Sequence, residues 1–370
     1  MQPSPYTPGA VAREIIGRDK QLTSIQRSLA MLVSFPRLEG RIQVFVGPRG
    51  VGKTSLLRTA QHEAERLGLH TVWVTAGDGN FLEELLSQFS RYAHRWTDTA
   101  SFSFAGVTLN NKTQESPVRA GWGRQLQAVL EKAGESAQKN SHKGLVILID
   151  EIQAADHEGL RALAYAWQHM QSENPDLPLI ALTAGLSHTQ DVITDAVSFA
   201  ERFRYVHLNN LDETASLTAL TRPAELHGVH WAPEATDAAL RLASGYPYFL
   251  QLIGDLSWIA AGDPDPGGII LPTHVNTARE DFSSAQETLF RSRWMKATER
   301  EIDIMVAMAQ LGDGPVRRGD IAKQMGARTT DISMARRSLM DKGLVDSPQH
   351  GFLEFTAPGF AEFVRSSTAV

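Results

Sequence analysis

Eight residues constrain this chain more than any others: Gly47-Pro-Arg-Gly-Val-Gly52-Lys53-Thr54, set between a short apolar run and a helical pattern. Ile42 to Val46 reads as a buried strand and Lys53 to Leu67 as a helix, so the segment is a strand, a loop and a helix in succession. The G-x-x-x-x-G-K-[ST] spacing is that of a phosphate-binding loop, whose glycines let backbone N–H groups turn inward around phosphate oxygens. The following helix adds the positive end of its dipole. Gly47, Pro48, Arg49, Gly50, Val51, Gly52, Lys53, Thr54 and Ser55 are therefore the expected nucleotide contacts. Lys53 is expected to reach the β- and γ-phosphates, and the Thr54 hydroxyl to ligate Mg²⁺.

A second constellation follows. Leu145-Val-Ile-Leu-Ile149 runs straight into Asp150-Glu151 and so sets two carboxylates at the end of a buried strand, where open α/β sheets bind ligands. Asp150 is expected to hold Mg²⁺ through water. Glu151 is expected to orient and polarise an attacking water, which favours hydrolysis over transfer to a bound acceptor. Further strand patterns at His70 to Thr75, Leu177 to Thr183 and Tyr205 to Leu208 alternate with helical ones. That alternation predicts an α/β fold, a parallel sheet with helices on both faces.

Beyond Asp212 the strand signal disappears as far as Thr288, which predicts a helical subdomain interrupted by a loop at 261–268. Three helical stretches follow, at Glu299 to Gln310, Asp320 to Met325 and Asp331 to Lys342, with a strand-like pair around Gly351 to Phe355. This order reads as a winged helix. Between Arg317 and Lys342 seven basic residues stand against three acidic ones, in a chain whose net charge is −6. Periodicity places Ile332, Ala335 and Leu339 on one face and leaves Ser333, Arg336 and Arg337 outward, where they could contact duplex DNA. Winged helices also bind proteins, and the segment from Met295 to Val370 is balanced at ten basic and ten acidic residues. Both partners therefore stay open. The alternating segment from Ser101 to Asn110 reads as a β-hairpin, either covering an edge of the core or protruding as a partner-binding arm.

Composition removes several alternatives. At 370 residues the chain is long enough for two or three domains, and an apolar share of 42% with 21% charged is ordinary globular usage. The absence of cysteine excludes disulfides, a thiol nucleophile and thiolate metal sites. No apolar run approaches the roughly 20 residues needed to cross a bilayer, and the N-terminus lacks a signal pattern, so a soluble cytoplasmic protein is expected.

With these motifs the chain resembles the AAA-type P-loop ATPases, in particular the prokaryotic branch shared by initiator-like and STAND-type ATPases. The matching residues are Ile16-Gly17-Arg18-Asp19 ahead of the first strand, the Gly47 to Thr54 loop, Asp150-Glu151, and Ser244-Gly-Tyr-Pro-Tyr-Phe-Leu-Gln251. The resemblance implies an ATP- and Mg²⁺-dependent core over 1–210, a helical lid over 211–290 and a winged helix over 291–370. It implies that Gly17 and Arg18 line the base, that Pro247 couples nucleotide state to the lid, and that Thr183 senses the γ-phosphate. It further implies that Arg202 or Arg204 is presented to a neighbouring subunit in a homo-oligomer. The implied activity is ATP hydrolysis controlling a DNA or protein partner. The alternative is a slow, ATP-gated DNA-binding switch.

Overall fold

A computed structural model describes residues 1–12, 14–77, 79–96, 121–349 and 351–368. The expected hairpin at 101–110 lies outside the described residues. The elements in chain order are α1 (Asp19–Ser34), β1 (Ile42–Val46), α2 (Lys53–Arg66), β2 (His70–Thr75), α3 (Phe81–Trp96), α4 (Trp122–Lys139), β3 (Leu145–Asp150), α5 (His157–Glu173), β4 (Leu179–Gly185), α6 (Thr189–Ala196) and β5 (Phe203–His207). The five strands form one parallel sheet in the order β2-β3-β4-β1-β5.

Strand alternation explains both helical layers. Leu145, Ile147 and Ile149 of β3 point into a cluster with α3, α4, α5 and α6, while Val146 and Leu148 point into a second cluster with α1 and α2. All five residues are fully buried, each contributing about 1.5–3 kcal/mol of burial free energy. Helix α4, which the sequence reading passed over, buries Leu126, Val129, Leu130, Ala133 and Ala137 along one stripe. The side chain of Asp156 caps α5 by accepting from Gly159 N at 2.7 Å and also accepts from Phe81 N at 3.0 Å, which joins the starts of α3 and α5.

The remainder is mainly helical: α7 (Glu213–Glu225), β6 (His230–Trp231), α8 (Pro233–Ala243), α9 (Pro247–Ala260), β7 (Ile269–Ile270), α10 (Pro272–Trp294), α11 (Glu299–Leu311), β8 (Val316–Arg317), α12 (Arg318–Gln324), α13 (Ser333–Asp341), β9 (Val345–Asp346), β10 (Phe352–Phe355) and α14 (Phe360–Thr368). Three of these helices, α8, α9 and α10, open on proline, whose fixed φ suits a first helical turn. Two details differ from the sequence reading. Strands β6 and β7 form a two-residue parallel pair within the stretch expected to hold helices alone, and β8 joins β9 and β10 in a three-stranded sheet.

Residues of α7 to α14 share one hydrophobic cluster, separate from the two that flank the large sheet. A run of packed aromatics threads this cluster. Tyr246 lies 4.8 Å from Phe249, Phe249 6.3 Å from Phe290, and Phe290 5.0 Å from Phe360, centroid to centroid. Among the described residues no helix is long and apolar enough to cross a membrane.

Candidate functional site

The glycine loop leaves β1 at Gly47 and enters α2 at Lys53. A Cβ at Gly47 would lie 2.2 Å from the Leu208 carbonyl oxygen, so glycine alone fits the approach. Gly50 has φ +81°, and a Cβ there would come within 2.3 Å of the Tyr246 hydroxyl. That hydroxyl donates to Arg49 O at 2.7 Å, pinning the loop to the start of α9.

Lys53 is buried, and its amine donates to Gly47 O at 2.9 Å and Pro48 O at 2.7 Å. Burial draws its pKa down to about 8, against the opposing pull of Glu151 and Asp150. A bound anion near the amine would hold it charged. Thr54, one residue on, donates from Oγ1 to Asp150 Oδ2 at 2.7 Å. Residue parity in β3 accounts for this meeting, since Asp150 follows Val146 and Leu148 onto the face that α2 covers. Burial raises the pKa of Asp150, and the bond from Thr54 acts against it. A hydroxyl and a carboxylate at this separation are hard oxygen donors suited to Mg²⁺.

Glu151 departs from the strand in the left-handed region, at φ 53° and ψ 37°. Such a conformation costs a non-glycine residue of order 1–3 kcal/mol and clusters at functional sites. Two bonds hold it, its N–H donating to Asp150 Oδ1 at 3.0 Å and Gln153 Nε2 donating to its carboxylate, and Gln153 is itself fixed by Oε1 accepting from Leu186 N at 3.0 Å. Gln153 was missed in the sequence, where nothing distinguishes it from any other polar residue after a strand. Lys53, Thr54, Glu151, Arg49, Pro247 and Tyr248 all line one cavity of about 350 Å³. Its wall also includes residues 9–12, a segment tethered to α2 by the bond from Ala12 N to Ser55 Oγ at 3.1 Å.

Other expected residues are placed differently. Arg18 is buried with its guanidinium donating to Val51 O at 3.0 Å and Asn209 O at 2.6 Å, so it braces the loop from behind. Gly17 packs against α7, where a Cβ would lie 2.6 Å from that of Ala215. Val51 is buried in the cluster beneath α2. Strand β4 starts two residues later than its apolar run suggests and continues to Gly185, which places Thr183 inside it, not at its end. Thr183 shares the face of Leu179 and Ala181, away from α2, and its hydroxyl donates to Gln43 O at 3.2 Å. The fold does not bring it to the loop. Arg202 and Arg204 are exposed at the start of β5, beside Gln43 at the start of β1, and the loop lies past the other end of both strands.

The α13 residues differ from expectation in part. Ser333 donates to Thr329 O at 2.9 Å. Arg336 is half-buried, its Nη1 lying 3.3 Å from Met340 Sδ, and Arg337 pairs with Asp195 of α6 at 2.9 Å. Periodicity sets both arginines outward; Arg337 is exposed, as expected, and pairs with α6, while Arg336 is partly covered.

The site now has its sheet, its loop and its acidic strand end. Residues 14–181 match the AAA ATPase domain. A second family, a domain of unknown function (DUF8462), matches residues 287–364. Solved structures extend the likeness in fold along the whole chain. A Walker-type ATPase of Pyrococcus abyssi is similar with a TM-score of 0.60 at 17% identity, over 99% of each chain. The Cdc6p protein of Pyrobaculum aerophilum follows at 0.52 and 12%, over 98% of this chain and 96% of that one. The ORC2 protein of Aeropyrum pernix, solved in ADPNP–ADP complexes, gives 0.51 and 15% over 98% of each. No curated protein matches the sequence. The match to the AAA ATPase domain spans the loop and the Asp150-Glu151 strand end, and the fold is like that of the ORC2 and Cdc6p proteins.

Proposed function

We propose that this chain binds ATP with Mg²⁺ in the cavity over the glycine loop, hydrolyses it, and uses nucleotide state to control a duplex DNA partner. The observation that carries the reading is the convergence of Lys53, Thr54, Asp150 and Glu151 on one loop. Thr54 and Asp150 would hold the ion, which supplies charge neutralisation at the phosphates. Lys53 meets the β- and γ-phosphates with an amine already desolvated. Glu151 orients water, and Gln153 fixes the carboxylate that does so. The backbone of Gly47 to Gly52, with Pro48, Arg49, Val51 and Ser55, frames the phosphates. Pro247 and Tyr248 close the cavity from the lid side.

In this reading residues 1–210 form the nucleotide-binding core, 211–290 the lid and 291–370 a winged helix. Three helices with the antiparallel strands β8, β10 and β9 support the last assignment. The basic bias of 317–342 supports duplex DNA as the partner. Arg202 and Arg204 lie far from this chain's own loop, so a finger role for either requires a neighbouring subunit. The same distance favours slow turnover by the isolated chain, as a switch would show.

ATP binding and turnover test the reading together. Lys53→Ala is expected to lose nucleotide binding and Glu151→Gln to retain it without turnover. Unchanged ATP affinity in Lys53→Ala would refute the site.

A further inference from the structure

The expected DNA-reading helix faces the ATPase core. Helices α6 and α13 run antiparallel across a polar seam. At one end His188 Nε2 lies 2.8 Å from Asp341 Oδ1; at the other Arg337 Nη1 lies 2.9 Å from Asp195 Oδ2. His188 at the N-cap of α6, and Asp191 and Asp195 within it, follow at spacings of three and four residues, which sets them on the side of α13. Just beyond α13, Asp346 Oδ2 accepts from Ser187 Oγ at 2.7 Å, and Arg49 of the glycine loop lies against Gly343.

Hydrogen bonding at the seam is incomplete. Arg336 is half-buried beside Arg318 and Arg337, with Asp191 its acidic neighbour, and its Nε is buried without a hydrogen-bond partner. Arg317 stacks over Phe352 at 5.6 Å close by in the same three-stranded sheet. Arg337 thus pairs with one carboxylate of α6, while Arg336 keeps a buried Nε without an acceptor. Phosphate oxygens of a duplex would supply what α6 supplies incompletely.

The seam is built to part. Apolar residues of α11 to α14 join the cluster of the lid and none joins the clusters flanking the large sheet. Beside the Ser187–Asp346 bond, Gly47 and Asn209 line a cavity of about 860 Å³ together with Glu354 and Thr356. The Arg337–Asp195 pair is half exposed on both sides, and such solvent-screened pairs contribute little to holding two surfaces together.

We propose that α6 masks α13: the acidic stripe of Asp191 and Asp195 occupies the arginine face that would otherwise grip duplex DNA, so docking on the core and DNA binding exclude each other. The proposal rests on the duplex-binding reading of α13 and adds the element that holds it in check. Parting the seam frees Arg336 and Arg337 together. Because Gly343 sits against Arg49 of the glycine loop, the mask ends where nucleotide would bind.

The test uses the full chain and a fluorescent duplex of about 20 base pairs. Asp191→Asn with Asp195→Asn is expected to tighten duplex binding about tenfold and to leave ATP turnover unchanged. The chain has no native cysteine, so Ser187→Cys with Asp346→Cys can be joined by a cleavable bis-maleimide. The tether is expected to abolish duplex binding and its cleavage to restore it. Equal affinity with the tether intact and cleaved would overturn the mask, as would no gain from neutralising α6. If the wild type binds and Arg336→Ala with Arg337→Ala abolishes binding, either result sinks the mask alone. If no form binds duplex, including the neutralised one, the DNA reading falls and the mask with it.

Discussion

The glycine loop and helix α13 are both cationic, and they differ in what decides their surroundings. At the loop, the contacts that matter lie within a few residues of the motif or on the next strand but one: Lys53 against Gly47 and Pro48, Thr54 against Asp150. At α13, the partners of the arginines come from a helix about 140 residues earlier, Arg337 meeting Asp195 at a separation of 142. A local motif fixes its own geometry. An amphipathic helix fixes only which face is apolar, and leaves open what covers the other.

The comparison breaks most forcefully at the residue that ties the lid to the C-terminal helices. Phe290 packs edge-on against both Phe249 and Phe360, so Phe290→Ala is expected to cost about 3–4 kcal/mol. Chemical denaturation followed by tryptophan fluorescence measures it. A cost below about 1 kcal/mol would mean that the two parts do not share one core.

Next in size is Lys53→Ala, expected to weaken ATP binding by at least about 100-fold, or about 2.7 kcal/mol, in calorimetry. The loop's dependence on pH is smaller and follows from the same amine. Since burial brings the Lys53 pKa to about 8, the nucleotide-free protein loses this positive charge as pH rises through that value. Nucleotide must then be bound with uptake of a proton, and affinity is expected to fall about tenfold between about pH 8 and 9.5. A flat profile over that range would place the charge elsewhere. Smallest is Thr183→Val. With its hydroxyl on Gln43 O and its side chain on the face away from α2, it is expected to leave ATP affinity within about twofold, at a cost of about 1 kcal/mol in stability. Loss of turnover without loss of stability would restore a sensing role to Thr183.

Much of the site was legible because its residues act through spacing. Gly47 to Thr54 and Asp150-Glu151 are both readable as patterns, and parity along β3 brings the second to the first. Thr183 was misplaced for a reason that composition does not carry. The end of β4 is set by pairing with β1, where Val46 stands beside Gly185, so the strand outlasts its apolar run. Arg18 is a base contact only by family resemblance, and only the folded chain shows its guanidinium against Val51 and Asn209. Helix α4 was within reach, since its buried stripe from Leu126 to Ala137 is periodic in the sequence itself. The mask over α13 was not, because no local pattern links α6 to a helix so far along the chain.

The most direct measurement is steady-state ATP turnover of the wild type beside Glu151→Gln, with nucleotide binding measured on both. Turnover in the wild type that vanishes in a variant still binding ATP is the predicted result. Equal turnover in the two proteins would contradict the assignment of the catalytic carboxylate at the end of β3.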